Sequence, residues 1–219
     1  MRLAEAIGRA IEHRHLELTT LAGAVRARRG QIVFHERDPA DTVYLLLEGM
    51  VEALITGADP ETNERPVLLL EAPAVFGDRE ILSETSALET MRCLTPVQLL
   101  TFPAEALLEE WTQDAGLRDR LARDLAMRYS RSLALVALQL APLRDRILGF
   151  LLVLEGRSAI FSNPAKSLSA LVGANEKTVS RMLLRLREEG AVIEADGGAL
   201  RVAHEVAAGR PVDLVHTCR

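Results

Sequence analysis

The chain has 219 residues, 48% hydrophobic and 26% charged, and 26 Lys/Arg stand against 31 Asp/Glu for a net charge of −5. That balance is ordinary for a globular protein and excludes a disordered or collagen-like chain. No stretch of about 18 uninterrupted apolar residues occurs, and MRLAEAIGRAIEHRH alternates charged with apolar residues, so neither a membrane span nor a secretory leader is predicted and the chain is expected in the cytoplasm. Two cysteines, Cys93 and Cys218, are too few for a disulfide framework or a four-thiolate cluster, and Cys93 reads as a small buried hydrophobe.

In chain order, the first predicted element is an amphipathic helix on which Leu3, Ile7, Ala10 and Ile11 share a face. QIVF, TVYLLLEG, MVEALIT, RPVLLLEA and VQLLTF follow as short β-prone runs, separated by turn-rich pieces such as HERDPAD and GADPETNERP. Their spacing is that of a compact antiparallel β-barrel or roll. FPAEALLEEW reads as a short helix with Pro103 near its start. From Leu117 the pattern becomes strongly helical to about Ala141, and Leu121, Leu125, Tyr129, Ser132, Val136 and Leu140 recur at steps of three or four. SLALVALQLA is apolar on more faces than a surface helix needs, which predicts packing against a second copy and hence a homodimer along this helix. Pro142 interrupts the helical ladder and makes a hinge.

Residues 163–190, NPAKSLSALVGANEKTVSRMLLRLREEG, carry the most specific pattern. Asn163 is a cap and Pro164 a first-turn residue of a helix bearing Leu168, Leu171 and Val172 on one face, and Gly173 supplies the permissive backbone for a tight reversal. Asn175 caps a second helix with Val179, Met182, Leu183 and Leu186 inward and Glu176, Lys177, Ser180, Arg181 and Arg185 outward. AVIEADGGALRVAH then gives two β-prone runs around Asp196, Gly197 and Gly198, the turn chemistry of a hairpin wing. The helix-turn-helix with its wing predicts binding to double-stranded DNA, with Lys177 and Arg181 at base edges, Glu176 able to accept from a cytosine amine, and Arg185 and Arg187 on phosphates. The charge distribution agrees: residues 143–219 hold 11 Lys/Arg against 9 Asp/Glu, a net of +2, leaving −7 for residues 1–142.

No phosphate-binding glycine loop with lysine, paired-histidine zinc helix, cysteine-pair metal spacing or nucleophile elbow occurs, so neither an enzyme nor a metal or cofactor site is predicted. The histidines are scattered: His13 and His15 do not share a helix face, and His35, His204 and His216 stand alone.

The order of β-roll, long helix and winged helix-turn-helix resembles the Crp/Fnr family, the bacterial regulators related to the cyclic-AMP receptor and FNR. The resemblance covers about residues 15 to 205. It rests on GQIVFHERDPADTVYLLLEG at 30–49, Val75-Phe76-Gly77-Asp78, Arg146-Ile147-Leu148, and VGANEKTVSR at 172–181. It implies an α+β chain with an effector roll at 1–112, a dimerisation helix and hinge at 113–142, and a DNA-binding domain at 143–219. It also implies a homodimer on a near-palindromic operator, with RNA polymerase as a protein partner. Family members that hold a cyclic nucleotide carry a glutamate after the Phe-Gly pair and an arginine about nine residues later, where this chain has Asp78 and then Ala87-Leu88. A buried phosphate would lack its bidentate partner, so cyclic AMP is not expected as the effector. The candidate effector pocket comprises Gly77, Asp78, Ala87, Leu88, Arg131 and Ser132, with Arg79, Arg92 or Arg131 as conceivable substitutes for the missing cation. Haem is not implied, because Phe76-Gly77-Asp78-Arg79 holds neither cysteine nor histidine. Many family members have arginine then glutamate where this chain has Glu176 and Lys177, which implies a different operator. Ala165 replaces a basic phosphate contact of some members, leaving Lys166 and Ser167 to compensate. A second reading is a regulatory or scaffolding module whose roll and winged domain bind proteins rather than DNA.

Overall fold

The computed structural model describes residues 23–56, 64–154, 164–195 and 199–203. The helix predicted around Leu3 to Ile11, the Asn163 cap, the turn at 196–198 and the tail from 205 lie outside them. The described residues of Met1–Ile55 and Leu69–Arg128 form one compact unit, and those of Thr56–Leu68 and Tyr129–Arg219 form a second.

Two four-stranded sheets make the roll, one ordered β1 (Gly23–Ala27), β8 (Val97–Pro103), β3 (Thr42–Glu48), β6 (Ala74–Phe76), the other β2 (Ile32–Phe34), β7 (Thr90–Cys93), β4 (Met50–Thr56), β5 (Glu64–Glu71). The pairs β1/β8, β3/β8, β3/β6, β2/β7 and β4/β7 run antiparallel, the arrangement the alternating runs predict. All five predicted strands are present; β1, β6 and β7 are additions, and β6 and β7 are too short for a period of two to declare itself. Val43, Leu45, Val75 and Ile81 form a core cluster, with Leu100, Phe102 and Leu107 packed on it. Tyr44 and Phe76, directly paired across β3 and β6, stack with ring centroids 4.9 Å apart.

Strand β4 is buried on both faces from Met50 to Leu54, and Glu52 on it survives burial by accepting from Arg92 Nε, its cross-strand partner on β7, at 2.9 Å. At the end of β7, Cys93 is buried; its amide donates to the Gln31 carbonyl (2.8 Å) and its carbonyl accepts from Gly30 (2.7 Å). Burial pushes its thiol pKa up.

A short helix α1 (Asp78–Leu82) leaves β6 through Gly77 at φ 81°. A Cβ on Gly77 would lie 2.6 Å from the Thr42 carbonyl oxygen, so both the backbone conformation and the space demand glycine. After β8 come α2 (Ala104–Gln113) and the long α3 (Ala115–Gln139), close to the predicted limits. Pro142 stands at the N-terminal boundary of α4 (Leu143–Val153), consistent with its expected role as an interruption. The sequence reading missed α4 as a helix. Ile147 through Leu154 are all buried, so the segment carries no polar face to set a helical period.

Helices α5 (Pro164–Val172) and α6 (Glu176–Glu188) follow, then β9 (Val192–Ala195) paired antiparallel with β10 (Ala199–Val202) as the predicted wing. Leu168, Leu171 and Val172 of α5 and Val179, Leu183 and Leu186 of α6 are buried together with Val192, Leu200 and Val202 of the wing, while Met182 is only half-buried.

Two substitutions measure how firmly these turns are set. Gly77→Ala is expected to cost about 1–3 kcal/mol, the range for a strained backbone conformation, and Asn175→Ala about 1 kcal/mol for a lost helix cap. Urea unfolding with an unchanged m-value reads both; a midpoint equal to the parent's for Gly77→Ala would contradict the close approach to Thr42.

Candidate nucleic-acid interface and effector site

Helices α5 and α6 are joined by a turn in which several backbone groups left over at the helix ends find partners. Gly173 takes φ 61°, and the Ala174 amide reaches back to the Ser169 carbonyl at 3.1 Å, the six-to-one bond of a Schellman ending. Two further carbonyls at the end of α5 accept side-chain donors: Leu171 from Gln139 Nε2 (2.9 Å) and Val172 from Arg146 Nη1 (2.8 Å). Asn175 Oδ1 then accepts from the Lys177 amide at 2.9 Å and opens α6. Gly190 at φ 69° closes α6, with the Ala191 amide on the Leu186 carbonyl at 2.8 Å.

On α6 the buried positions are three and four apart, so the opposite face is exposed along its whole length. Asn175, Glu176, Lys177, Ser180, Arg181, Arg185 and Arg187 all lie in solvent. Lys177, Arg181 and Arg185 follow one another at four-residue steps and therefore form one ridge. Among the described residues none of these three makes an ion pair, while Arg187 lies 3.3 Å from Glu194 of the wing, an exposed pairing of small worth. Lys166 is exposed and Ser167 half-buried near the start of α5. Arg201 on β10, which the sequence reading did not single out, is also exposed. The alternation of the wing would have pointed to it, since Leu200 and Val202 are its buried neighbours.

The predicted outward set on α3 divides. Tyr129, Val136 and Leu140 are exposed at 66%, 39% and 84%, joined by Met127 and Leu133, whereas Leu125 and Ser132 are half-buried and Leu121 is fully buried within its own chain. Steps of four residues advance the stripe by about 40° each at 3.6 residues per turn, so Leu121 and Tyr129 are on different faces. Leu121 is therefore a core residue.

Around Gly77 the described residues assemble a cluster of buried charge. The Asp78 carboxylate is fully buried and accepts two bonds from Arg128 of α3, at 2.9 Å from Nη1 and 2.5 Å from Nη2. Arg128 Nε lies 2.8 Å from Asp124, one turn back on the same helix. Arg79 donates from Nη2 to Glu89 at 2.6 Å and also to Glu80, and both glutamates are buried. Burial works against the charges of Arg79 and Arg128, but Glu89 in the first case and Asp78 in the second outweigh it, so both guanidinium pKa values stand above their ordinary one. Burial pushes the Glu89 carboxyl up, and Arg79 pulls it back in part. Ala87 is buried with its amide on the Asp38 carbonyl (3.0 Å) and its carbonyl on the Arg37 amide (2.7 Å), while Leu88 is 57% exposed.

Sequence reasoning placed Asp78 in this site but missed Arg128, Glu80 and Glu89. Of the arginines it weighed, Arg79 is committed to Glu80 and Glu89, and Arg92 to Glu52. Arg131, half-buried, and Ser132 belong to the second unit. A signal for Arg128 did exist: it stands seven residues after Leu121 and seven before Leu135, both buried, so a cation interrupts an otherwise apolar helical stripe.

The family model described as Cyclic nucleotide-binding domain matches residues 24–114. The cyclic AMP receptor protein of Thermus thermophilus is 29% identical over 167 residues, 75% of this chain and 76% of its own. The global nitrogen regulator of Synechococcus elongatus is 26% identical over 172 residues, 73% of this chain and 77% of its own. The solved structure of FixK2 from Bradyrhizobium japonicum shares the fold, with a TM-score of 0.69 at 18% identity over 90% of this chain and 96% of that one. These relatives are regulators rather than enzymes, and no helix among the described residues is long and apolar enough to cross a membrane. Residues 24–114 thus match a cyclic nucleotide-binding domain, a capped helix-turn-helix and wing follow it, and along about three quarters of its length the chain is similar to a cyclic AMP receptor protein and a global nitrogen regulator, proteins of the Crp/Fnr kind.

Proposed function

We propose that this regulator binds DNA sequence-specifically in the cytoplasm, as a homodimer on a near-palindromic operator, with RNA polymerase as the partner on which it acts, and that cyclic AMP is not its effector. In this reading residues 1–112 are the sensor roll, 113–142 the dimerisation helix and hinge, and 143–219 the DNA-binding domain. The observation that carries it is the ridge of Lys177, Arg181 and Arg185 along the exposed face of α6, opened by the Asn175 cap.

The division of labour follows from geometry. The N-terminal turn of a helix in the major groove reaches deepest, so Lys177 and Arg181 read base edges, with Asn175, Glu176 and Ser180 beside them. Arg185 and Arg187, nearer the C-terminal end, meet phosphates, as do Lys166 and Ser167 at the start of α5. The exposed Tyr129, Val136 and Leu140, with Met127 and Leu133, supply the face for a second copy. A two-fold axis along α3 presents two copies of α6 to major grooves about one helical turn of DNA apart. At Asp78 the one cation within bonding distance among the described residues, Arg128, is already committed to that carboxylate and to Asp124, which supports a roll that offers no partner to a cyclic phosphate.

Duplexes selected from a random pool are expected to bind with a steep loss of affinity between low and high salt, while keeping an advantage over random duplex. Equal, feeble binding of selected and random duplex would remove this reading and favour a protein-binding module. Arg181→Ala should cost about 1–3 kcal/mol on the selected site and relax preference at one position per half-site, whereas Arg185→Ala should weaken all duplexes alike and flatten the salt slope by about one. Leu140→Glu should shift the species seen in sedimentation velocity from dimer to monomer; a dimer unaffected by it would place the interface elsewhere.

A further inference from the structure

Asp78 opens α1 and Glu89 immediately precedes β7, and both are buried and paired with this chain's own arginines. Arg128 donates from both Nη atoms to Asp78 and its Nε lies in ion-pair distance of Asp124, 2.8 Å away, while Arg79 is shared between Glu80 and Glu89. The cluster therefore holds four carboxylates against two guanidiniums, and an incoming phosphate would add a further anion where no cation in the cluster is left to meet it.

The two ends of the cluster are mechanically distinct. Asp78 is held by the sheet, because Gly77 admits no side chain against the Thr42 carbonyl of β3. Arg128 stands near the middle of α3, buried between the exposed Met127 and Tyr129 that open the apolar series. A bidentate pair between them fixes both the rotation and the axial position of α3 on the roll, since a fork-to-fork geometry tolerates little slip.

We propose that the Asp78–Arg128 pair, backed by Asp124 and the Arg79–Glu80–Glu89 triad, is a built-in latch that takes the place of a cyclic nucleotide: it sets α3 in the DNA-competent position with no effector bound. This rests on the DNA-binding reading above and adds to it a ligand-independent mechanism. Wild type needs nothing in the pocket, and the position of α3 answers to the internal pair.

The test uses the full chain, a selected duplex, and fluorescence anisotropy with and without 1 mM-scale cyclic AMP or cyclic GMP, a concentration on the order of the weakest Kd range for small ligands. Wild-type affinity is expected to change by less than about twofold with either nucleotide, well below the roughly 5–150-fold of typical allosteric coupling. Arg128→Gln and Asp78→Asn, with circular dichroism matching the parent, are each expected to lose at least about tenfold in affinity for the selected duplex while amides of α3 around residue 128 lose hydrogen-exchange protection. A nucleotide that strengthens wild-type binding about tenfold or more overturns the latch, and so does a folded Arg128→Gln variant that binds like the parent. Should both variants fail to fold, the wild-type nucleotide comparison decides alone. If no duplex is selected under any condition, it is the DNA-binding reading that fails; selective binding that depends on nucleotide leaves that reading intact and removes only the latch.

Discussion

A carboxylate and a guanidinium taken out of water together tie the roll to its helix. Asp78 is fully buried and Arg128 nearly so, and each is the other's bidentate partner there. Such a pair adds little net stability over well-packed apolar residues, but removing one partner alone costs about 3–5 kcal/mol, because an uncompensated charge remains. What the pair contributes is therefore geometric. Two parallel hydrogen bonds have one good alignment, whereas an apolar contact between a helix and a sheet has many of nearly equal energy.

The same concern with a single alignment governs the other end of the chain, by neutral means. The turn between α5 and α6 is specified by backbone accounting: a left-handed glycine, an amide returning to Ser169, carbonyls of Leu171 and Val172 met by Gln139 and Arg146, and a side-chain cap from Asn175. The α6 face is left with nothing to do inside the protein. Among the described residues Lys177, Arg181 and Arg185 make no ion pair, so even on an acidic chain this ridge carries a local concentration of positive charge that the net charge of −5 does not express.

How far the sequence could be read depended on whether a residue's role was local. The α5–turn–α6 segment was legible because caps, glycines and an amphipathic period are local signals, and Val179, Leu183 and Leu186 are buried as the period requires. The long strands β3, β4, β5 and β8 were legible for the same reason. Helix α4 was not, since a segment apolar on all sides carries no periodic contrast, and β6 and β7 were too short to show one. On α3 the reading followed steps of three and four across two faces and so assigned Leu121 outward. The charge cluster was hidden for a different reason: Asp78 and Arg128 are 50 residues apart in sequence, and only the fold brings them within 2.9 Å. A lone arginine in an apolar stripe was the trace it left.

One further property follows from the environment of Cys93. Its thiol is shut inside the second sheet, its backbone groups are both engaged, and burial keeps the sulfur protonated and therefore a poor nucleophile. A water-soluble alkylating reagent can reach it only when the sheet comes apart. The rate of adduct formation at this atom is thus an internal clock for opening of the roll, readable by mass spectrometry without attaching any probe, and able to time that opening separately from events in α5 and α6.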